Sequence, residues 1–210
     1  MDSTAITNAG LVVANQPASL DINPNATGMI NPGTLRAASG ATLNLSGSGG
    51  GTFTNTGGTI EAQAGSTVRL IDGAVINGGT LTTSDSGIIT TPSGGAVQNV
   101  ATLNGVTVSS GSQFVSATNS QTTLVGTITN NGTMALASTG LLAEFNVSGA
   151  VTLAGSGLVS LSDNAGNRIV GGAGSRLIND ATHTIAGSGQ IGANAIAITN
   201  AGLIVANQAT

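Results

Sequence analysis

The stretch FTNTGGTIEAQAGSTVRLI, residues 53 to 71, holds one whole structural unit of this chain. It opens on an apolar residue and Asn55, passes through Gly57-Gly58, and then alternates. Ile60 and Ala62 fall on one side of an extended chain, with Thr59 and Glu61 on the other. After a second break at Gly65 the alternation resumes as Thr67-Val68-Arg69-Leu70, which sends Val68 and Leu70 inward and Arg69 outward. Strands near Phe53-Asn55, Thr59-Ala62 and Thr67-Ile71, joined by short corners, predict one triangular rung of a parallel β-helix. Thr42-Leu43-Asn44-Leu45 repeats the third strand one rung earlier.

The same theme recurs as INPGTLRA, INGGTLTT, LNGVTVSS and TNNGTMAL. Its anchors are Asn8, Asn31, Asn55, Asn77, Asn104 and Asn130, with degenerate versions near Ala154 and Asn179, and then Asn200. Intervals of 21 to 27 residues separate them and together span 192, which predicts eight rungs averaging about 24 residues. A longer repeat encloses these. Residues 5 to 16 read AITNAGLVVANQ and residues 197 to 208 read AITNAGLIVANQ, differing only at Val12 and Ile204. The chain is therefore read as one solenoid over 1–210, with 5–196 one large repeat and 197–210 the start of the next.

Composition agrees with this class. Forty per cent of the 210 residues are apolar, but there are only three Phe, no Trp and no Tyr. Thirty-three glycines and only 6% charged residues favour many turns joined by β-branched strands over helices. With four Lys and Arg against eight Asp and Glu there is no basic stripe to follow a phosphate backbone, so nucleic acid is not expected as a partner. No apolar run approaches the roughly 18 residues that span a bilayer, and direct membrane insertion is not expected either. The absence of cysteine excludes a disulfide framework and a thiolate metal site.

Two contacts follow from the rung alignment. Arg36 in GTLR and Glu61 in GTIE occupy the same outward position on consecutive rungs and should form an inter-rung ion pair. The recurrent asparagines Asn8, Asn31, Asn55, Asn77, Asn104, Asn130 and Asn200 should build a ladder in which each amide bonds the next. The two longest intervals suggest that residues 86–99 and 110–123 bulge as loops. Insertions of that kind are where a solenoid would carry a binding site.

A polysaccharide lyase or glycosidase on the same scaffold would need acids or bases converging on one groove, and finds little support. His183 is the single histidine and has no nucleophile or ligand partner nearby in sequence, so a structural role is expected. The acids Asp2, Asp21, Glu61, Asp72, Asp85, Glu144, Asp163 and Asp180 are scattered, although Asp72 and Asp85 stand close enough to meet across neighbouring rungs. The run Gly171 to Arg176 follows a calcium-binding GGxGxD pattern until Arg176 replaces the aspartate. Asp163 to Asn167 reads as a turn rather than a cation loop. Sequons stand at Asn25, Asn44, Asn131 and Asn146. No catalytic residue, metal or cofactor is assigned. The rival function is ice binding on threonine ladders such as Thr80-Leu81-Thr82, against which the uneven rung length counts. Carbohydrate binding is a further alternative, with the three Phe expected in the core.

With its TNxGTI-like rungs, and with AGSGQIG at 186 to 192 followed by a new ITNAG, nearly the whole chain resembles repeat regions of large bacterial surface proteins of the filamentous-haemagglutinin and autotransporter-adhesin kind. The resemblance implies a right-handed parallel β-helix acting as an extracellular stalk at the bacterial surface, with adjacent copies of the repeat as partners and no enzymatic activity.

Overall fold

The computed structural model describes residues 5–208, and among them are 25 β-strands and no helix. Asp2 lies outside the described residues. The strands stack in parallel ladders, as where Thr34–Ala37 lies on Thr59–Ala62 and Thr42–Ser46 lies on Thr67–Ile71. The one antiparallel bridge among the described residues joins Asn25 to Gly50. Three faces result. The first runs from Ile6–Thr7 through Phe53–Thr54 and Asn99–Asn104 to Gln190–Ile191, and the second from Leu11–Ala14 through Thr59–Ala62 to Ala197–Asn200. The third runs from Leu20–Ile22 through Ile88–Thr91 to Leu203–Val205. Two long strands, Ser120–Asn130 and Ala143–Ala154, each cover the first and second faces, so the 25 strands make nine rungs of three faces. They bend at Gly126 (φ 68°) and Gly149 (φ 71°), where the left-handed conformation is open to glycine without a Cβ penalty.

Aligned residues on successive rungs differ by between 19 positions, at Ile185 and Ile204, and 27, at Leu81 and Val108. The variation sits in the corners. On the faces the inward columns are continuous: Leu43, Val68, Ile89, Phe114, Met134, Val159 and Ile185 stack on the third face, all essentially inaccessible. Phe53, Phe114 and Phe145 are fully buried, and the last two stack with centroids 6.4 Å apart. Each rung contributes few such side chains, and each buried aliphatic is worth about 1.5–3 kcal/mol. That falls short of the about 1–2 kcal/mol per residue needed to order the backbone of a lone rung. Stability therefore comes from stacking, which among the described residues the first and last rungs have on one side only. Seven of the eleven exposed large hydrophobics among the described residues belong to the first or last rung, including Ile6, Leu11, Ile198 and Leu203.

Neither proposed loop has the extent expected. Within 86–99, Ile88–Thr91 is a strand with Ile89 fully buried on Val68, and the excursion is confined to Pro92–Gln98. Pairing stops at Pro92, which has no N–H to donate. Residues 110–123 are not an excursion at all. Gln113–Ala117 and Ser120–Asn130 are regular strands joined by a two-residue turn, with Asn119 at φ 54°.

Candidate functional site

The asparagines occupy corners, where the chain leaves one face; their backbone N–H groups still pair with the next rung, as Asn31 N–H does with the Thr54 carbonyl, and their side chains reach further turn groups such as Gly10 N–H and the Gly58 carbonyl. Asn8, Asn31 and Asn55 form one internal ladder between the first and second faces. Asn8 Nδ2 donates to Asn31 Oδ1 at 2.7 Å, and Asn31 Nδ2 donates to Asn55 Oδ1 at 2.6 Å. Asn55 Nδ2 then reaches the carbonyl of Gly58 at 3.3 Å. Asn31 and Asn55 are fully buried.

The ladder does not continue to Asn77 as the spacing suggested. Asn77 lies in register with Thr54, so Gly78 takes the column of Asn55 and Asn77 turns outward, half-exposed. It pairs there with Asn104, whose Nδ2 donates to Asn77 Oδ1 at 3.0 Å. Asn104 in turn aligns with Val125, not with Asn130. Asn130 sits at the next corner, between the second and third faces, and begins a second internal ladder. Its Nδ2 meets His183 Nε2 at 3.1 Å, while His183 Nδ1 meets Asn179 Oδ1 at 2.7 Å. Asn179 Nδ2 donates to Asn200 Oδ1 at 2.8 Å. Because an amide oxygen only accepts, the His183 proton is on Nδ1 and Nε2 accepts from Asn130. In both ladders the side-chain amides donate toward later rungs.

His183 is thus a rung of the ladder, spanning the corner above Gly155 and Gly157 where no side-chain amide is available. A Cβ on Gly157 would strike the Asn130 side chain. Burial lowers the His183 pKa from 6.5 to about 4, against an opposing pull from Asp180. The sequence signal that finds it is the spacing of Asn179 and His183, four residues apart across a corner.

On the outer second face, Arg36 and Glu61 are in register, with Nε to Oε2 at 2.6 Å and side chains 32% and 18% exposed. Gln63 also donates to Glu61, at 3.2 Å. Beside this pair runs a column of five threonines on consecutive rungs, Thr34, Thr59, Thr80, Thr107 and Thr129. Uneven rung length leaves this column unbroken. The neighbouring outward column is mixed: Arg36, Glu61, Thr82, Ser109 and Asn131.

The excursion Pro92–Gln98 roofs an open groove of about 730 Å³ at the corner between the third and first faces, lined by Arg69, Asp72, Val97 and Gln98 among others. Three side chains pin it: Gln98 donates to Glu144 at 3.1 Å, Asn99 to the Pro92 carbonyl at 3.2 Å, and Asn119 to the Gly95 carbonyl at 3.0 Å. Asn44 Oδ1, beside Arg69 in register, is buried there without a partner.

The remaining candidates do not converge. Asp72 follows the third-face strand Thr67–Ile71 while Asp85 follows the second-face strand Thr80–Thr83, so the two acids occupy different corners. No group of three His, Cys, Asp or Glu is placed to hold a metal among the described residues. Asn164 Oδ1 accepts from Gly166 N–H and Ser138 Oγ, which occupies it in the turn after Asp163. Arg176 points outward and donates to Thr199 Oγ1 at 2.9 Å. Asn25 is exposed outside the named strands, whereas Asn44 and Asn146 lie within strands and Asn131 just beyond one.

The fold defines the chain as a β-solenoid. Comparison with protein-family models, with curated proteins and with solved structures finds no match.

Proposed function

We propose that this chain is a segment of a non-catalytic rod, a stalk or surface filament of an extracellular bacterial protein, whose partners are adjacent copies of the same repeat. The observation that supports it best is the continuous interior. Nine rungs share one apolar core, and among the described residues the near-identical segments 5–16 and 197–208 carry exposed aliphatic side chains, Ile6 and Leu11 in one and Ile198, Leu203, Ile204 and Val205 in the other. Unpaired strand edges at the ends of a stack are templates for further pairing. The bacterial-surface setting rests on the sequence resemblance and on the cysteine-free composition. Electron microscopy of the purified segment tests the reading: thin rods or end-to-end filaments are expected, and a compact particle refutes it. Turnover of any member of a panel of acidic polysaccharides would refute the non-catalytic assignment.

A second reading, ice binding, is favoured by the five-threonine column, because regularly spaced hydroxyls on a flat face can order water. The charged pair Arg36 and Glu61 beside the column works against it. Thermal hysteresis decides between the two. Sugar binding lacks a stacking platform, since the three Phe are buried in the core.

A further inference from the structure

The segments 5–16 and 197–208 differ at one residue, yet they lie on different faces. At the start, Ile6–Thr7 pairs with Met29–Ile30 on the first face and Leu11–Ala14 with Thr34–Ala37 on the second. At the end, Ala197–Asn200 pairs with Arg176–Asn179 on the second face and Leu203–Val205 with Thr184–Gly187 on the third. The second face holds nine strands from Leu11–Ala14 to Ala197–Asn200, hence eight rungs between them, and Leu203–Val205 lies one face further on. The 192 residues of the large repeat therefore cover eight rungs and one third.

The extra third is gained once. Through Asn104 the motif asparagine ends a first-face strand, and from Asn130 onward it ends a second-face strand. In between, the chain crosses the first face as residues 120–125 and turns the corner on Gly126 instead of on asparagine. All three faces alternate inward and outward residues, and the inward ones are mostly aliphatic; where the shift occurs, the inward Thr91, Ser116, Ser120 and Thr122 are polar and bond one another. The relocated segment is also hydrogen-bonded to the rung before it. Asn200 accepts from Asn179 at 2.8 Å, Ala201 N–H donates to the Asn179 carbonyl at 2.9 Å, and Leu203 N–H donates to the His183 carbonyl at 3.1 Å.

We propose that the edge formed by Arg176–Asn179 and Thr184–Gly187 is the docking surface for the opening of a further copy of the repeat, the place that residues 197–208 take here. It seats that copy rotated by a third of a turn about the rod axis. The proposal rests on the rod reading above. Its consequence is that the groove under Pro92–Gln98, a fixed feature of each repeat, moves to the next corner with every copy. It returns to the same side after three repeats, or 25 rungs. An array so built displays the groove in all directions around the shaft, where an eight-rung repeat would align every copy on one side.

The test uses a three-repeat chain in which residue 196 of one copy is followed by residue 5 of the next, with Val97→Cys in each. Val97 is 79% exposed and the chain has no other cysteine, so gold labelling is specific. At about 4.8 Å per rung, successive labels should lie about 40 Å apart along the axis. They should also be displaced sideways by one triangle edge, about 17–20 Å for strands of five to six residues. Labels in a single line along an intact rod overturn the rotation and leave the rod standing. Compact particles overturn the rod reading and this proposal with it. Should the cysteine variant fail to fold, a small folded domain inserted after Val97 reads the same azimuth as a visible knob, with the same two refuting outcomes.

Discussion

Taking the protein from pH 7 to pH 5 should remove about 2 kcal/mol of stability from the rungs around His183, and a His183→Gln variant should lack this contribution to the pH dependence. The sign follows from the lowered pKa. The unfolded histidine binds a proton near 6.5 and the folded one only near 4, so between these values the unfolded chain holds more protons. Stability is complete above pH 6.5 and falls with each unit of acidification until the folded group also titrates. At about 1.4 kcal/mol per unit, the loss is about 2 kcal/mol at pH 5 and about 3 kcal/mol at pH 4. The cause is local: a protonated Nε2 would point a donor at the Asn130 amide, which is itself a donor. Turning that amide over would forfeit the bonds it makes to the Leu158 carbonyl and from Gly132 N–H. Urea unfolding at pH 7 and pH 5 gives the slope, and hydrogen exchange at the Thr184 and Leu203 amides localises it. Comparing slopes between wild type and variant cancels the carboxylates common to both. An equal pH slope in the two proteins, or a histidine resonance titrating near 6.5 in the folded state, would refute the ladder role of His183.

Asn31→Ala removes two ladder bonds and leaves Asn55 Oδ1 buried without its donor, so it should cost about 2 kcal/mol or more, against under about 1 kcal/mol for the half-exposed Asn77→Ala; chemical denaturation compares them. A double-mutant cycle on Arg36 and Glu61 should give a coupling below about 1 kcal/mol that vanishes in 1 M salt, because the pair is partly solvated. Gly79→Ala should be far more damaging than Gly57→Ala. Both glycines have positive φ, but a Cβ at 79 strikes the Asn55 carbonyl and side chain whereas one at 57 meets open space. For Gly57→Ala the conformational cost alone is about 1 kcal/mol, readable as a shift in Tm.

The faces were legible because strand alternation is strict where it matters. Thr67-Val68-Arg69-Leu70 can put only Val68 and Leu70 inside, and both are fully buried. The ladder was legible only as far as its local spacing held. In Ile76-Asn77-Gly78-Gly79 a slip of one residue decides which side of the corner the asparagine takes, and periodicity counted from asparagine to asparagine cannot register that slip. The same counting treated the interval from Asn104 to Asn130 as one long rung with a loop, when the chain had completed a rung at Val125 and moved to the next corner. His183 escaped for a related reason. A ladder sought as repeated asparagine excludes an imidazole, although its two nitrogens, one donating and one accepting, serve the same purpose as an amide.

The direction of the inter-rung hydrogen bonds has a mechanical consequence. They run along the shaft while the strands lie across it, so a pull on the two ends of the polypeptide loads the outermost strand's bonds first and one after another, and does not shear a whole face at once. Each rung that peels away releases 19 to 27 residues. At up to about 3.4 Å per residue that is roughly 65 to 90 Å of slack, exchanged for about 4.8 Å of shaft. Under tension such a shaft yields by paying out chain a rung at a time, a shock absorber that shortens from its ends while the remaining length stays stiff.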